Sequence, residues 1–230
     1  MSYEQENKQA LVAYFNEGAK GDKPLGALGV EVEHFVVTAE GEHPVSYAGG
    51  EGEFGVRDVL AHLADAYPRH THGLEGDLIG LASDEASITL EPAAQLEISI
   101  APYSSIGQIL RVYSEFRSKV DLFLAEHGCK LVTSGYHPTA RALELTLIPK
   151  QRYRFMNDYF MEIGTRGERM MRASASTQVS VDYRDEADAI RKMRIAQALA
   201  PIFASVTDNT AVFTNVPPGA YEFCVRCTNG

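Results

Sequence analysis

The sequence predicts an α+β fold in which helices pack on one face of an antiparallel sheet and the other face is open and acidic. Three segments, 29–37, 87–100 and 173–183, alternate polar and apolar residues with the period of two that is typical of half-buried strands. Two longer segments, 105–127 and 186–206, repeat apolar residues at helical spacing. The chain has 230 residues, 45% of them hydrophobic, which is enough to bury a full core. Strands with one polar face and long intervening helices favour a sheet that is covered on a single side.

The N-terminal region predicts a separate helical element. The apolar side chains within residues 3–18 favour a short amphipathic helix that ends at Gly18, and we interpret residues 1–25 as a lid or brace. A loop rich in Gly, Glu and His follows the first strand over 38–55. Residues 56–67 then repeat apolar side chains with helical period, which predicts a second helix.

The first strand, 29–37, carries two glutamates on one face. Successive side chains of a strand point to opposite sides, so Glu31 and Glu33 share a face. His34 points away from both glutamates by the same parity, and we interpret it as a structural residue.

The second alternating segment, 87–100, repeats this division. Its apolar positions share one side: Ile88, Leu90, Leu96, Ile98 and Ile100. Its polar positions share the other: Thr89, Glu91, Gln95, Glu97 and Ser99. On a straight strand Glu91 and Glu97 would lie about 20 Å apart, too far to share one ion. Because proline is poorly tolerated inside a central strand, we expect a bend or turn at Pro92.

These acidic strands allow two interpretations. Carboxylates crowded together are unfavourable unless solvent or a cation compensates their charge, and hard oxygen ligands suit Mg²⁺ or Mn²⁺. The alternative is that the glutamates are simply solvated, because antiparallel sheets often have one wet face.

The rest of the chain continues the α+β pattern. Further strands are expected over 77–82 and 131–135, and further helices over 105–127, 152–164 and 186–206. The last helix is expected to turn these residues inward: Ala187, Ile190, Met193, Ala196, Ala198, Leu199 and Ile202. The third alternating segment carries these residues on its polar face: Ser174, Ser176, Gln178, Ser180 and Asp182. His137 follows a strand, and we interpret it as a loop histidine that satisfies backbone groups rather than as a ligand.

Charge and cysteine content narrow the classes of function. The 31 acidic and 21 basic side chains give a net charge of −10, which argues against nucleic acid or an anionic membrane as the main partner. The first residues have neither the basic nor the apolar part of a signal peptide, so a cytoplasmic location is expected. Three cysteines do not make a disulfide scaffold, and nothing nearby completes a zinc site with Cys224 and Cys227.

Several of these segments together resemble a known family, the glutamate–cysteine ligases of the plant and bacterial type. The motifs that carry the resemblance are GVEVEHF at 29–35, SITLEPAAQLEISIAP at 87–102, GYHP at 135–138, RY at 152–153 with Met156 and Tyr159, MMRASASTQVSVDY at 170–183, EADAIRKMR at 186–194 and LAP at 199–201. This family lies within the carboxylate–amine ligase group, which shares a glutamine-synthetase-like catalytic fold. The resemblance runs from about residue 26 to 213.

The resemblance implies an ATP-dependent ligase that phosphorylates the γ-carboxylate of glutamate and joins the γ-glutamyl phosphate to the amine of cysteine. It implies ATP and Mg²⁺ as cofactors and glutamate, cysteine and ATP as small-molecule partners. The metal ligands would be Glu31, Glu33, Glu91 and Glu97. Gln95 and Gln178 would contact the nucleotide or complete a metal shell. Glu31, Glu33 and Arg172 would be catalytic, with Arg172 holding a carboxylate or phosphate, although a surface arginine is the alternative.

The chain also departs from the family. Members are longer, so residues 26–213 would be the N-terminal part of the catalytic domain, and residues 214–230 do not resemble the family. A truncated product, one part of a split enzyme completed by a second chain, and a short binding protein all stay open. So do a related ligase with another amine acceptor and a non-catalytic partner subunit. Ala93 and Ala94 replace the Gly-Gly that usually follows the proline, which would alter the turn after Glu91.

Overall fold

A computed structural model describes residues 3–50 and 52–208, and all structural statements concern those residues. They form six α-helices and one seven-stranded sheet, so the predicted α+β class is confirmed. The helices are Tyr3–Gly18 (α1), Val56–Leu63 (α2), Ile106–Glu126 (α3), Gln151–Ile163 (α4), Gly167–Ala173 (α5) and Glu186–Thr207 (α6). The strands are Leu28–Thr38 (β1), Arg69–His72 (β2), Leu78–Ala82 (β3), Ala86–Leu90 (β4), Leu96–Tyr103 (β5), Cys129–Val132 (β6) and Thr177–Val181 (β7).

Strand β1 organises the sheet. The strand order is β2-β3-β4-β5-β1-β6, and every pairing is antiparallel. One edge of β1 pairs with β5 over most of its length. The other edge pairs first with β7 and then with β6. The three alternating segments of the sequence therefore lie side by side, with β1 in the middle.

The bend expected at Pro92 is a tight turn between β4 and β5. The backbone N–H of Glu91 donates to the carbonyl of Gln95 at 2.9 Å, and the N–H of Ala94 donates to the carbonyl of Glu91 at 3.0 Å. Ala94 has φ of +67°, a left-handed conformation that favours glycine. The turn makes β4 and β5 a hairpin, so Glu91 and Glu97 come together instead of lying 20 Å apart.

The apolar face of the sheet packs on α2 and α3. All five apolar positions predicted for the second segment are buried, which confirms the parity. His34 lies on this face and is fully buried, where Nδ1 contacts the carbonyl of Leu96 at 3.0 Å and Nε2 contacts the hydroxyl of Tyr113 at 2.8 Å. Its structural interpretation is confirmed.

The polar face is open only in part. Phe35 and Val37 follow the glutamates on the same side of β1 and are buried against Ala175. The chain from Tyr136 to the short 3₁₀ turn Ala142–Glu144 packs beside α5 and covers this end. The expected division into helices on one face and an acidic floor on the other therefore holds at the glutamates and fails next to them.

Two elements are absent from the sequence predictions. Strand β2 has the sequence Arg-His-Thr-His and all four residues are exposed, so it has no apolar alternation to detect. Helix α5 occupies Gly167–Ala173, and the strand predicted over 173–183 shortens to β7. Seven residues span too few turns for an apolar period to stand out.

Helix α1 forms as predicted, and its role as a lid or brace stays a prediction. All its side chains are exposed, and its last turn is held by the hydroxyl of Tyr183, which donates to the carbonyl of Phe15 at 2.5 Å. The inward-facing interpretation of α6 is wrong for the described residues. Its predicted inward side chains are exposed, because no described element packs on them; Met193 and Ile202 are 63% and 59% exposed.

The C-terminal predictions fall beyond this region. Cys224 and Cys227 lie outside the described residues, as does the stretch 214–230. Within the described ranges, no helix is both long and apolar enough to cross a membrane.

Candidate functional site

Four glutamates meet on the polar face of the central strands, and we call Glu31, Glu33, Glu91 and Glu97 the acidic patch. Glu33 lies directly opposite Glu97 in the β1–β5 register. Glu31 lies opposite Ser99 on β5 and opposite Gln178 on β7. Directly opposed like charges are destabilising, so this arrangement requires compensation.

Glu97 is the most enclosed member of the acidic patch, at 8% exposed. The hydroxyl of Thr89 on β4 donates to its Oε2 at 3.1 Å, and the hydroxyl of Ser99 donates to its Oε1 at 2.7 Å. These two bonds fix the position of the carboxylate on the polar face of the sheet. Glu97 is therefore held in place rather than free to move into solvent.

Glu33 is held from the opposite side. The backbone N–H of Ser176 donates to its Oε2 at 3.0 Å, and the Ser176 hydroxyl donates to its Oε1 at 3.1 Å. Burial nevertheless raises the pKa of Glu33, with Glu97 adding to the rise, although the bonds from Ser176 and Gln178 oppose it. Burial and the charge of Glu97 also raise the pKa of Glu31.

Glu91 joins the acidic patch from the β4–β5 turn. Its side chain lies within hydrogen-bond reach of Glu97. Burial, then the charges of Glu97 and Glu33, raise its pKa to about 7. The hydroxyl of Tyr153 donates to Glu91 Oε1 at 3.2 Å. The patch is thus a set of carboxylates that repel one another, with its most perturbed member at the turn.

Two basic side chains approach this end of the acidic patch. Arg152 and Lys150 contact the Tyr153 hydroxyl at 3.0 and 3.4 Å, and both cations lie 4.8 Å from the centre of its ring. Tyr153 is 1% exposed, and burial followed by the charge of Glu91 raises its pKa to about 12. A neutral phenol therefore separates the acidic patch from a pair of cations.

The two glutamines predicted to bind a cofactor have different surroundings. Gln178 is exposed and its amide donates to Glu33 Oε1 at 3.2 Å, which places it at the edge of the acidic patch. Gln95 is 1% exposed and is bonded to backbone: its Oε1 accepts from the N–H of Ala93 at 2.8 Å, and its Nε2 donates to the carbonyls of Ser174 and Arg172. Gln95 ties the turn to the segment before β7, and a contact with a nucleotide would require these bonds to be released.

Arg172 lies apart from the acidic patch. Its guanidinium donates to the carbonyl of Leu145 and to the side chain of Asn157, while its buried Nε has no hydrogen-bond partner among the described residues. Burial lowers its pKa, partly offset by Glu168. The predicted catalytic role of Arg172 stays a prediction, with one N–H available for a ligand.

His137 serves the backbone, as its sequence context indicates. Its Nδ1 accepts from the N–H groups of Ala140 at 3.1 Å and Thr139 at 3.3 Å, so Nε2 carries the proton. That Nε2 is buried without a partner in the described part of the chain, and burial lowers the pKa of the ring to about 4.

The acidic patch has no counter-charge in direct contact. None of its four carboxylates forms a salt bridge within the described ranges, and no group of three or more His, Cys, Asp or Glu there is arranged to enclose a metal ion. This donor set does not fit an all-protein cage. It does fit Mg²⁺, which is commonly bound through one or two carboxylates together with water and substrate phosphates.

The sequence analysis assigned no role to the residues that position the acidic patch. Thr89, Ser99 and Ser176 fall on the predicted polar faces, so parity already placed them beside the glutamates. Nothing in the sequence pairs Tyr153 or Lys150 with the turn, because that contact joins residues about 60 positions apart.

Comparison with known proteins gives consistent results. A sequence model of the family described as Glutamate-cysteine ligase family 2 matches residues 27–215. The chain is similar to glutamate–cysteine ligase A, chloroplastic, of Oryza sativa subsp. japonica, with 32% identity over 91% of this chain and 40% of the relative. The corresponding chloroplastic enzyme of Arabidopsis thaliana is 32% identical over 91% of this chain and 38% of its own length, and that of Nicotiana tabacum is 31% identical over 93% and 40%. The chain therefore spans about 40% of the length of these curated relatives.

Proposed function

Because the chain belongs to glutamate–cysteine ligase family 2, we propose that it contributes the acidic wall of an ATP-dependent ligase site. The reaction would join the γ-carboxylate of glutamate to the amine of cysteine through a γ-glutamyl phosphate. Cysteine as the acceptor and the cytoplasmic location are part of the same proposal. The names of the relatives support the reaction class. The arrangement of the four carboxylates in the acidic patch supports metal-dependent phosphoryl transfer.

The observation that carries the proposal is the acidic patch itself, with its carboxylates fixed by hydroxyl groups and no ion pair to neutralise them. Burial of repelling charges costs stability, and enzymes accept such costs where a ligand supplies the missing charge. Glu33 and Glu97 would hold Mg²⁺, with Glu31 and Glu91 at either side. A Mg²⁺ ion held by these carboxylates would supply positive charge that offsets the negative charge of the transferring phosphoryl group.

The neighbouring residues have distinct roles in this proposal. Thr89, Ser99 and Ser176 orient the carboxylates, since each donates a hydroxyl hydrogen bond to Glu97 or Glu33. Lys150 and Arg152 place positive charge at the Glu91 end, where it would attract a substrate carboxylate or phosphate.

We also propose that further polypeptide, within the same chain or on a second one, completes the site. The apolar side chains of β7 and α6 support this: Val179 and Val181, on the face of β7 opposite the acidic patch, are 57% and 56% exposed. Exposed apolar surfaces of this kind usually mark an interface. The greater length of the relatives is in agreement.

Binding of Mg²⁺-ATP to the chain tests the proposal. Wild type is expected to bind the nucleotide in a Mg²⁺-dependent manner by calorimetry. Glu97→Gln and Glu33→Gln should each weaken binding about tenfold or more, because a charged ligand is replaced by a neutral one of the same shape. Glu162→Gln, an exposed position on α4, is the matched control and should bind as wild type does.

Two outcomes would contradict the proposal. Wild type that is folded by circular dichroism and binds no Mg²⁺-ATP at millimolar concentration would remove the site assignment. Equal affinities for Glu97→Gln and Glu162→Gln would show that nucleotide binds elsewhere. Release of phosphate from ATP that depends on both glutamate and cysteine then distinguishes the named reaction from a ligase with another acceptor.

A further inference from the structure

A buried tyrosine lies between the acidic patch and the two cations at its turn end. Tyr153 belongs to the first turn of α4 and is 1% exposed. Its hydroxyl oxygen lies 3.2 Å from Glu91 Oε1 and 3.3 Å from the carbonyl oxygen of Leu90. Arg152 and Lys150 donate to the same oxygen at 3.0 and 3.4 Å. One phenolic oxygen therefore contacts an acid, a backbone carbonyl and two cations.

The directions of these hydrogen bonds follow from the donors that are available. Arginine and lysine side chains can only donate, so the phenolic oxygen accepts from both, and its single hydrogen is left for the acid or the carbonyl. An ionised carboxylate forms a stronger hydrogen bond than a neutral carbonyl does. The hydrogen therefore goes to Glu91 when that side chain is charged. The hydroxyl then bonds the carboxylate and the cations without bringing them into direct contact.

Opposite charges this close together would be expected to pair directly, yet they do not. In the part of the chain that the structure describes, neither Lys150 nor Arg152 forms a salt bridge with any carboxylate. Both cations instead lie 4.8 Å from the centre of the Tyr153 ring, whose π-electrons attract positive charge. The ring thus holds the cations, and the hydroxyl holds the carboxylate.

We propose that Tyr153 is a positioning residue that keeps Glu91 apart from Lys150 and Arg152, so that both cations stay available to a phosphate group of the nucleotide. The inference rests on the proposed function for the identity of this ligand. If the carboxylate could reach the cations, a direct ion pair would neutralise them and draw the acid out of the acidic patch. With the hydroxyl in place, the cations and the acidic patch stand side by side with their charges separate.

A cycle of substitutions at two positions tests this role, with calorimetry on the whole chain and Mg²⁺-ATP as the probe. Tyr153→Phe keeps the ring but removes the hydroxyl, and it should weaken binding about fivefold or more because Glu91 then pairs with the cations. In the Glu91→Gln background the same substitution should change the affinity by less than about twofold, since the amide has no charge to pair. Tyr159→Phe, 57% exposed on the same helix, is the control and should bind as wild type does.

A role in packing alone would give a different pattern. Tyr153→Phe would then weaken binding by the same factor with and without Glu91→Gln, and that result would overturn the proposal. Unchanged binding in Tyr153→Phe would overturn it as well.

Urea unfolding of the unliganded chain at pH 8 measures the separation of charges without a nucleotide. The coupling between Glu91 and Arg152 is obtained from Glu91→Gln, Arg152→Gln and the variant with both. Its effect on the folding equilibrium constant should be about fivefold larger in the Tyr153→Phe background, because a direct ion pair replaces the bridge through the hydroxyl. Equal coupling in the two backgrounds would overturn the proposal. Because this cycle needs no ligand, it distinguishes failure of the role of Tyr153 from failure of the proposed function, in which wild type binds no Mg²⁺-ATP.

Discussion

At Glu91 a single side chain links the stability of the fold to the charge of the acidic patch. Its pKa of about 7 exceeds the ordinary value of 4.5 because of burial and then Glu97 and Glu33. The folded protein thus favours the protonated acid, and stability falls as the pH rises from 4.5 through 7. Glu91→Gln should therefore stabilise the protein by about 1–3 kcal/mol at pH 8, measured by urea unfolding.

The pH dependence of the Glu91→Gln effect provides its own check. At pH 4 the wild-type residue is protonated in both states, so the stabilisation should largely vanish. Glu162→Gln should change stability little at either pH, because that side chain is exposed. A destabilised Glu91→Gln variant at pH 8 would show that the carboxylate is compensated in the folded state.

Two buried histidines have the opposite dependence on pH. Burial lowers the pKa of His34 and of His137 to about 4, so both stay neutral in the fold while the unfolded chain takes up protons near pH 6.5. Stability is lost as the pH falls below 6.5, by about 2 kcal/mol per histidine at pH 5. Protonation of Glu91 stabilises the fold over the same pH range. The net pH dependence of wild-type stability is therefore smaller than the histidines alone would give.

His137→Asn isolates one histidine from that balance, because Asn Oδ1 lies at the position of the ring Nδ1. The amide oxygen can accept the backbone bonds that Nδ1 accepts, but it does not titrate. Unfolding free energies from pH 5 to 7 should show a pH dependence smaller by about one proton than in wild type. The same slope in both proteins would mean that His137 is protonated in the fold.

The β4–β5 turn decides at the level of elements whether Glu91 reaches Glu97. Ala94 adopts φ of +67° there, so Ala94→Gly removes backbone strain of about 1–2 kcal/mol while losing a buried methyl and adding chain entropy. We expect these terms to cancel within about 1 kcal/mol. Ala93→Gly, next to it without a positive φ, relieves no strain and should only destabilise. Thermal unfolding of the two variants measures the difference in their stability. Equal losses of stability in both would show that Ala94 is not strained.

Predictability from sequence followed the strength of each local pattern. Parity placed Glu31, Glu33 and Glu97 on one face and His34 on the other, because burial of one side of a strand fixes every second residue. Parity alone did not place Glu91 in the acidic patch; the turn expected at Pro92 was also required. It could not supply the contact of Tyr153 with Glu91, since tertiary packing between α4 and the turn decides it and no local period records it.

The apolar period of residues 186–206 correctly predicted the helix α6. The prediction that its apolar side chains are buried was wrong. Period alone shows that a helix has an apolar side, and the partner that covers this side must be found elsewhere in the molecule. Among the described residues of α6, only Asp188 is buried, and it forms ion pairs with Arg191 and Lys192. The proposal that further polypeptide completes the site concerns this same face, so it can be tested at the scale of the whole molecule.

Substitutions on the exposed face of α6 should alter association without altering the fold. Met193→Glu and Ile202→Lys lie at positions 63% and 59% exposed, so each should change the free energy of unfolding by no more than about 0.5 kcal/mol. Leu124→Lys, fully buried on α3, is the contrasting variant and should cost several kcal/mol, roughly the price of an unpaired buried charge. Light scattering should show reduced self-association of the α6 variants, because a charge interrupts the apolar surface. If Met193→Glu instead destabilised the chain as Leu124→Lys does, this face would be covered within the chain, and the proposed interface would have to lie elsewhere.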